Sequence, residues 1–223
     1  RAPVIAGAGS NDTRKAVELV RVARQSGAQA ALVVTPYYNK PSQAALIAHF
    51  AAVADASDLP IVLYDVPSRT GVTMAVDTVA AIAERSTVIG IKDAVGDMVR
   101  PTLMRAACGP DFILLSGDDP SALGYMAHGG RGCISVTSNV TPKACADFQN
   151  ACLAGDFAAA RREHERLIDL HRALFFDASP APAKFALSEL GLCTDEVRPP
   201  LLPCAEAVRP RVAAALRRAE AAG

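Results

Sequence analysis

The chain has no excess charge of either sign, with 23 Lys plus Arg against 23 Asp plus Glu in 223 residues. A surface built for nucleic acid or for anionic lipid needs a cationic surplus, so neither is expected as a main partner. Long apolar runs are also missing. None reaches the length of a bilayer span, and the opening Arg1-Ala-Pro-Val-Ile-Ala-Gly7 holds too short an apolar stretch for a signal peptide. The expected compartment is therefore the cytoplasm. The six cysteines (108, 133, 145, 152, 193 and 204) form no Cys-x-x-Cys pair, and no histidine stands at zinc-like spacing from them. Metal and redox sites are not expected, no cofactor is called for, and the cysteines read as small hydrophobes in a chain that is 51% hydrophobic.

Lysine is scarce as well, five against eighteen arginines. One of the five, Lys92, ends the apolar run Val88-Ile-Gly-Ile-Lys-Asp93, which reads as a buried strand. A guanidinium stays protonated and cannot attack a carbonyl, whereas a desolvated amine can lose its proton and form a Schiff base. Position alone equally suits an ammonium that snorkels to Asp93 or to solvent.

Strands are predicted over residues 3–6, 29–35, 61–65, 88–93, 112–116 and 132–136. Each is followed by a loop and then a helix. The first loop, Gly7-Ala-Gly-Ser-Asn-Asp-Thr13, lacks the third glycine of a dinucleotide fingerprint, and Asn11 or Asp12 can cap the helix after it. Ser42 can cap the second helix, to about residue 56. The alternation repeats every 25 to 30 residues or so, the pattern of a parallel sheet wrapped by helices. After Thr141 the pattern turns all-helical, and Leu167, Leu170, Leu174 and Phe175 are expected to form one apolar stripe. Six strands do not close an eight-stranded barrel. The residues alone fit either a doubly wound open sheet or a barrel whose first two βα units lie outside the given sequence.

The loops after the strands supply groups that could serve an amine nucleophile. Tyr64 ends the strand before that of Lys92, where its phenol can pass protons or merely fill the core. Arg69 follows in Pro67-Ser-Arg-Thr-Gly71, a fork suited to a carboxylate or an exposed loop residue. Tyr37 and Tyr38 share a proline-flanked loop, as an interface patch or a catalytic pair. His49, His128, His164 and His171 fall in predicted helices and are given no catalytic role.

Together, Val34-Thr-Pro-Tyr-Tyr-Asn39, Leu63-Tyr-Asp-Val-Pro-Ser-Arg-Thr-Gly71, Gly90-Ile-Lys-Asp-Ala94, Leu115-Ser-Gly-Asp-Asp119 and Gly132-Cys-Ile-Ser-Val136 resemble the dihydrodipicolinate synthase family, within the class I pyruvate aldolases and lyases. The resemblance covers nearly the whole chain in order. It implies a TIM (β/α)8 barrel, here lacking its first two βα units, over residues 1–153, and a C-terminal helical region over residues 154–223. It also implies a homotetramer and a condensation of pyruvate with aspartate-4-semialdehyde, leading to lysine and diaminopimelate. By that resemblance Lys92 forms the Schiff base, Tyr64 relays protons, and Tyr38 reaches into a neighbouring subunit's site. Arg69 receives the semialdehyde carboxylate, and Gly117 and Ile134 line the lysine and pyruvate.

Two departures from the family pattern stand out. The Gly-Thr-Thr-Gly-Glu segment that binds the pyruvate carboxylate is absent, so the 223-residue chain alone is expected to be inactive. Gly9, Asn11 and Tyr37 match positions that contact feedback lysine in sensitive relatives, but Lys15 stands where those carry glutamate. Repulsion between ammonium groups predicts weak or absent lysine inhibition. The competing readings are another Schiff-base aldolase, of the N-acetylneuraminate lyase or keto-deoxy-sugar type, and a non-catalytic barrel fragment. Arg69 favours the synthase over the sugar lyases.

Overall fold

A computed structural model describes residues 2–221 of the chain. It contains a six-stranded parallel sheet whose strands follow one another in chain order, β1 (Ile5–Gly7), β2 (Ala30–Val34), β3 (Ile61–Asp65), β4 (Val88–Asp93), β5 (Ile113–Ser116) and β6 (Gly132–Cys133). Parallel neighbours need a crossover. The helices supply it: α1 (Thr13–Gln25), α2 (Gln43–Ala54), the single turn α3 (Pro67–Thr70), α4 (Val76–Ala83), α5 (Arg100–Cys108) and α6 (Ala122–Ala127). Four more helices follow β6, namely α7 (Pro142–Leu153), α8 (Phe157–Ala173), α9 (Ala181–Glu189) and α10 (Arg209–Ala221).

The caps follow the sequence signals. The Asp12 carboxylate accepts from the amides of Arg14 and Lys15 at the start of α1, and Ser42 Oγ accepts from Ala45 N at the start of α2. The turn α3 falls where a plain loop is expected. Pro67 presets its first residue, and Gly71 ends it at φ +75°, a left-handed conformation that glycine adopts without strain.

The chain divides into two compact bodies, residues 1–117 with 128–132, and residues 118–127 with 133–223. In the first, Val33, Leu46, Phe50, Leu63, Ile82, Ile91 and Leu114 are buried by sheet and helices. In the second, Leu167, Leu170 and Leu174 pack in a cluster with Phe185, Val212 and Leu216.

Further details depart from the sequence reading, beginning with the first strand, which runs Ile5–Gly7 in place of residues 3–6. The sixth strand stops at Cys133 instead of residue 136, because the amides of Val136 and Thr137 turn onto Asp119 Oδ2, at 2.9 and 3.1 Å, and the chain enters a 3₁₀ turn at Thr137–Asn139. Phe175 does not join the apolar stripe. Helix α8 ends at Ala173 with Leu174 as its cap, so helical spacing no longer governs residue 175, which is 43% exposed.

Candidate active site

Strands β3 and β4 pair residue for residue over their last turns, with Tyr64 beside Lys92 and Asp65 beside Asp93. Equal register puts the amine and the phenol on one face. Lys92 Nζ lies 4.0 Å from the centroid of the Tyr64 ring, and both residues are half-buried. Burial pushes the Tyr64 phenol above its ordinary value, with the Arg69 charge pulling the other way. Arg69 itself stands exposed on α3, which starts two residues after β3. Tyr64 and Arg69 line a pocket of about 400 Å³ together with Gly9, Val34, Tyr37 and Thr70. The carbonyl of Tyr64 accepts from both the amide and the hydroxyl of Thr35, each at 2.9 Å, which ties the end of β3 to β2.

Gly117, just past β5, borders Lys92 directly. A methyl carbon there would lie 2.9 Å from Ala94 Cβ and 3.1 Å from Lys92 Cε, so a side chain would crowd both Ala94 and the lysine. Its amide donates to the Asp93 carbonyl at 2.7 Å. The arrangement can therefore hold an amine, a proton donor and a carboxylate receptor at one mouth of the sheet, which is the equipment for imine chemistry on a small keto acid.

Sequence reasoning missed the buried network on the other face. Arg100, at the start of α5, donates from Nε to Asp93 Oδ2 (3.1 Å), from NH2 to Asp65 Oδ2 (2.9 Å) and from NH1 to the Met74 carbonyl (2.7 Å). Asp65 also accepts from Thr73 Oγ1 and Met74 N, and Asp93 from Val95 N. Burial pushes both carboxyls up, against the pull of Arg100 and of these amides. A signal was present: each acid directly follows a site residue, so strand alternation turns it toward the helices, where a carboxylate requires a partner.

The comparisons with known proteins agree over almost the full chain. The model of the Dihydrodipicolinate synthetase family matches residues 1–219. The chain belongs to the dihydrodipicolinate synthetase family. It is 58% identical over 217 residues to a 4-hydroxy-tetrahydrodipicolinate synthase of Phenylobacterium zucineum, covering 97% of this chain and 74% of that protein. Among solved structures, the 4-hydroxy-tetrahydrodipicolinate synthase of Methylacidiphilum fumariolicum SolV is 38% identical at a TM-score of 0.96, covering 98% of this chain and 73% of that one. The chloride-inhibited dihydrodipicolinate synthase of Acinetobacter baumannii, complexed with pyruvate, is 44% identical at a TM-score of 0.96, covering 98% and 75%.

In this member of the family the remaining expected residues fall in several places. Tyr38 projects from the loop after β2, 88% exposed and at φ +74°, a backbone setting uncommon for a non-glycine residue. Tyr37, beside it, turns into the pocket with Gly9. Asn11 is half-buried, and its carbonyl accepts from the Asn39 side chain at 3.2 Å. Lys15 is exposed on α1 and pairs with Glu18 at 3.0 Å. Ile134 belongs to the second body, half-buried just after β6.

Three of the four histidines serve as joints in the fold. His49 Nδ1 meets Thr13 Oγ1 at 2.9 Å, His128 Nδ1 meets Thr102 Oγ1 at 3.1 Å, and His171 Nδ1 meets Thr137 Oγ1 at 2.7 Å. Among the described residues, no group of three or more His, Cys, Asp or Glu is placed to hold a metal ion, no disulfide forms, and no helix is long and apolar enough to cross a membrane.

Proposed function

We propose that this chain is the greater part of a 4-hydroxy-tetrahydrodipicolinate synthase, a lyase that condenses pyruvate with aspartate-4-semialdehyde through a Schiff base on Lys92. The observation that carries this reading is the pairing of a half-buried lysine amine with the Tyr64 ring at 4.0 Å, in a chain 58% identical to a synthase. The amine attacks the keto carbon of pyruvate, and loss of water leaves an imine. Tyr64 passes the protons that the addition and dehydration require. Removal of a methyl proton gives an enamine, whose carbon attacks the aldehyde, and Arg69 receives the carboxylate of the semialdehyde. Ring closure by the substrate's own amine onto the imine carbon frees Lys92. Gly117 leaves room beside the lysine, and the family resemblance gives Ile134 a backbone position at the pyruvate. No metal or cofactor enters the reaction.

The six βα units are read as the third to eighth of a TIM (β/α)8 barrel occupying residues 1–153, with residues 154–223 as a helical region. The sequential strand order supports this, and so does the chain's span of about three quarters of its relatives' length. The exposure of Tyr38 supports a role for it across a subunit contact; the assembly is read as a homotetramer and the compartment as the cytoplasm. By the family resemblance Gly9, Asn11 and Tyr37 hold positions that contact feedback lysine, with Lys15 in place of a glutamate, and a lysine titration is expected to show weak inhibition.

The test is turnover of the full-length protein with pyruvate and a panel of aldehydes. Aspartate-4-semialdehyde is expected to be preferred over the aldehydes of N-acetylneuraminate lyase and of keto-deoxy-sugar aldolases. A preference for a sugar aldehyde would replace this reading with the aldolase one.

A further inference from the structure

We propose that Arg100 is a positioning residue for the Lys92–Tyr64 pair, its guanidinium fixing the spacing of β3 and β4 through Asp65 and Asp93. The inference rests on the Schiff-base reading above. Side chains alternate across a sheet, so Asp65 and Asp93 stand on the face opposite Tyr64 and Lys92, one residue along each strand. Both strands end at these acids, and Ala94 N donates to the Asp65 carbonyl at 2.9 Å just past the pair. Past that bond the lateral spacing falls to side chains. Arg100 bridges the two carboxylates and the Met74 carbonyl at once, with all three residues of the network nearly closed to solvent, Asp65 at 0%, Asp93 at 4% and Arg100 at 6% exposure.

Two buried acids sharing one guanidinium are a weak source of stability, because desolvation offsets much of the attraction. What a planar fork does supply is a fixed distance between its acceptors. That distance is transmitted one residue back to the amine and the phenol. A small change there matters, since a misplacement of about 1 Å can cost on the order of a hundredfold in rate.

The two acids are not equivalent, and this gives the test. Asp65 accepts all its bonds on Oδ2, while its Oδ1 is buried with no partner among the described residues. The amide oxygen of Asp65→Asn can therefore keep every bond. Asp93 uses both oxygens, one for Val95 N and one for Arg100 Nε, so Asp93→Asn must give up one of them. Arg100→Lys keeps the charge but cannot span three acceptors.

The experiment compares these variants in the full-length protein. Lys92 is trapped to its endpoint with pyruvate and borohydride, and turnover is expressed per trappable site, so unfolded molecules drop out. Arg100→Lys and Asp93→Asn are expected to lose about tenfold to a hundredfold in kcat per site, with KM for pyruvate within about threefold, and Asp65→Asn to stay within about threefold in both. Loss of trappable sites with unchanged turnover per site would mean a structural role only and overturn the inference. An Asp65→Asn loss as large as that of Asp93→Asn would overturn it too, by making charge and not spacing the cause. If Arg100→Lys does not fold, the comparison of the two Asn variants decides alone. Absence of label in the folded wild-type protein would instead remove the Schiff-base reading, and this inference with it.

Discussion

The two bodies of the chain bury different things. The first closes its core around charge, sealing Asp65, Asp93 and Arg100 behind the strands that present Tyr64 and Lys92. The cluster formed by the helices of the second is apolar, with Leu167, Leu170 and Leu174 fully buried among Phe185, Val212 and Leu216. Burying charge is expensive and gains little stability, while burying leucine gains stability and fixes no reacting group. The first body adds a sealed charged network to its apolar core, and on the reading proposed above that network serves geometry, while the helical cluster of the second serves stability.

That contrast can be broken by substitutions that act on one side only. The largest effect is expected from Tyr64→Phe in the full-length protein, which keeps the ring beside Lys92 but removes the proton. Turnover should fall by about 10²- to 10⁴-fold, while pyruvate can still be trapped on Lys92. Turnover within a few-fold of wild type would remove Tyr64 from the proton path. Next comes Leu170→Ala, which empties a fully buried position in the helical cluster. It should cost about 2–5 kcal/mol in denaturant unfolding, with turnover of the molecules that remain folded unchanged. A matching loss of turnover per folded molecule would erase the proposed division of labour.

The third prediction concerns pH. Burial lowers His171 from 6.5 to about 4, and the Thr137 hydroxyl holds its Nδ1. Between those values the unfolded chain binds a proton that the folded chain does not, so stability falls as pH drops from about 6.5 toward 4 and is unaffected above that window. The nearby Asp118 and Asp119 charges favour the protonated ring and His164 disfavours it, but burial outweighs them all. A shift of this size corresponds to about 3 kcal/mol, and His171→Gln should flatten the acid limb of the stability curve by that order. His49 is lowered by burial as well and leaves a smaller slope of the same sign. Asp65 and Asp93, raised by burial, act in the opposite sense, losing stability as pH rises above their unfolded value near 3.8. An acid limb unchanged by His171→Gln would show that the histidine titrates normally in the fold.

Much of this was legible in the residues. The strand Val88–Asp93 and the helix Thr13–Gln25 are bounded as their apolar runs and caps indicate, because local chemistry alone sets those limits. The sixth strand ran too long in the sequence because its end is fixed by Asp119, a residue some seventeen positions earlier, whose carboxylate draws the Val136 amide out of the ladder. The same blindness hid Arg100. It reads as one more surface arginine until two acids twenty-eight residues apart are brought side by side by strand register. Lys92 and Tyr64 stood out as candidates because each lies one residue before the end of its strand, and strand ends gather at one edge of a parallel sheet.

The most direct test is borohydride reduction of the full-length protein with pyruvate, followed by peptide mapping. A stable three-carbon adduct on Lys92, absent from Lys92→Arg, is the predicted result. A folded protein that takes no label, or takes it on another lysine, would contradict the assignment of the amine and with it the reaction proposed for this site.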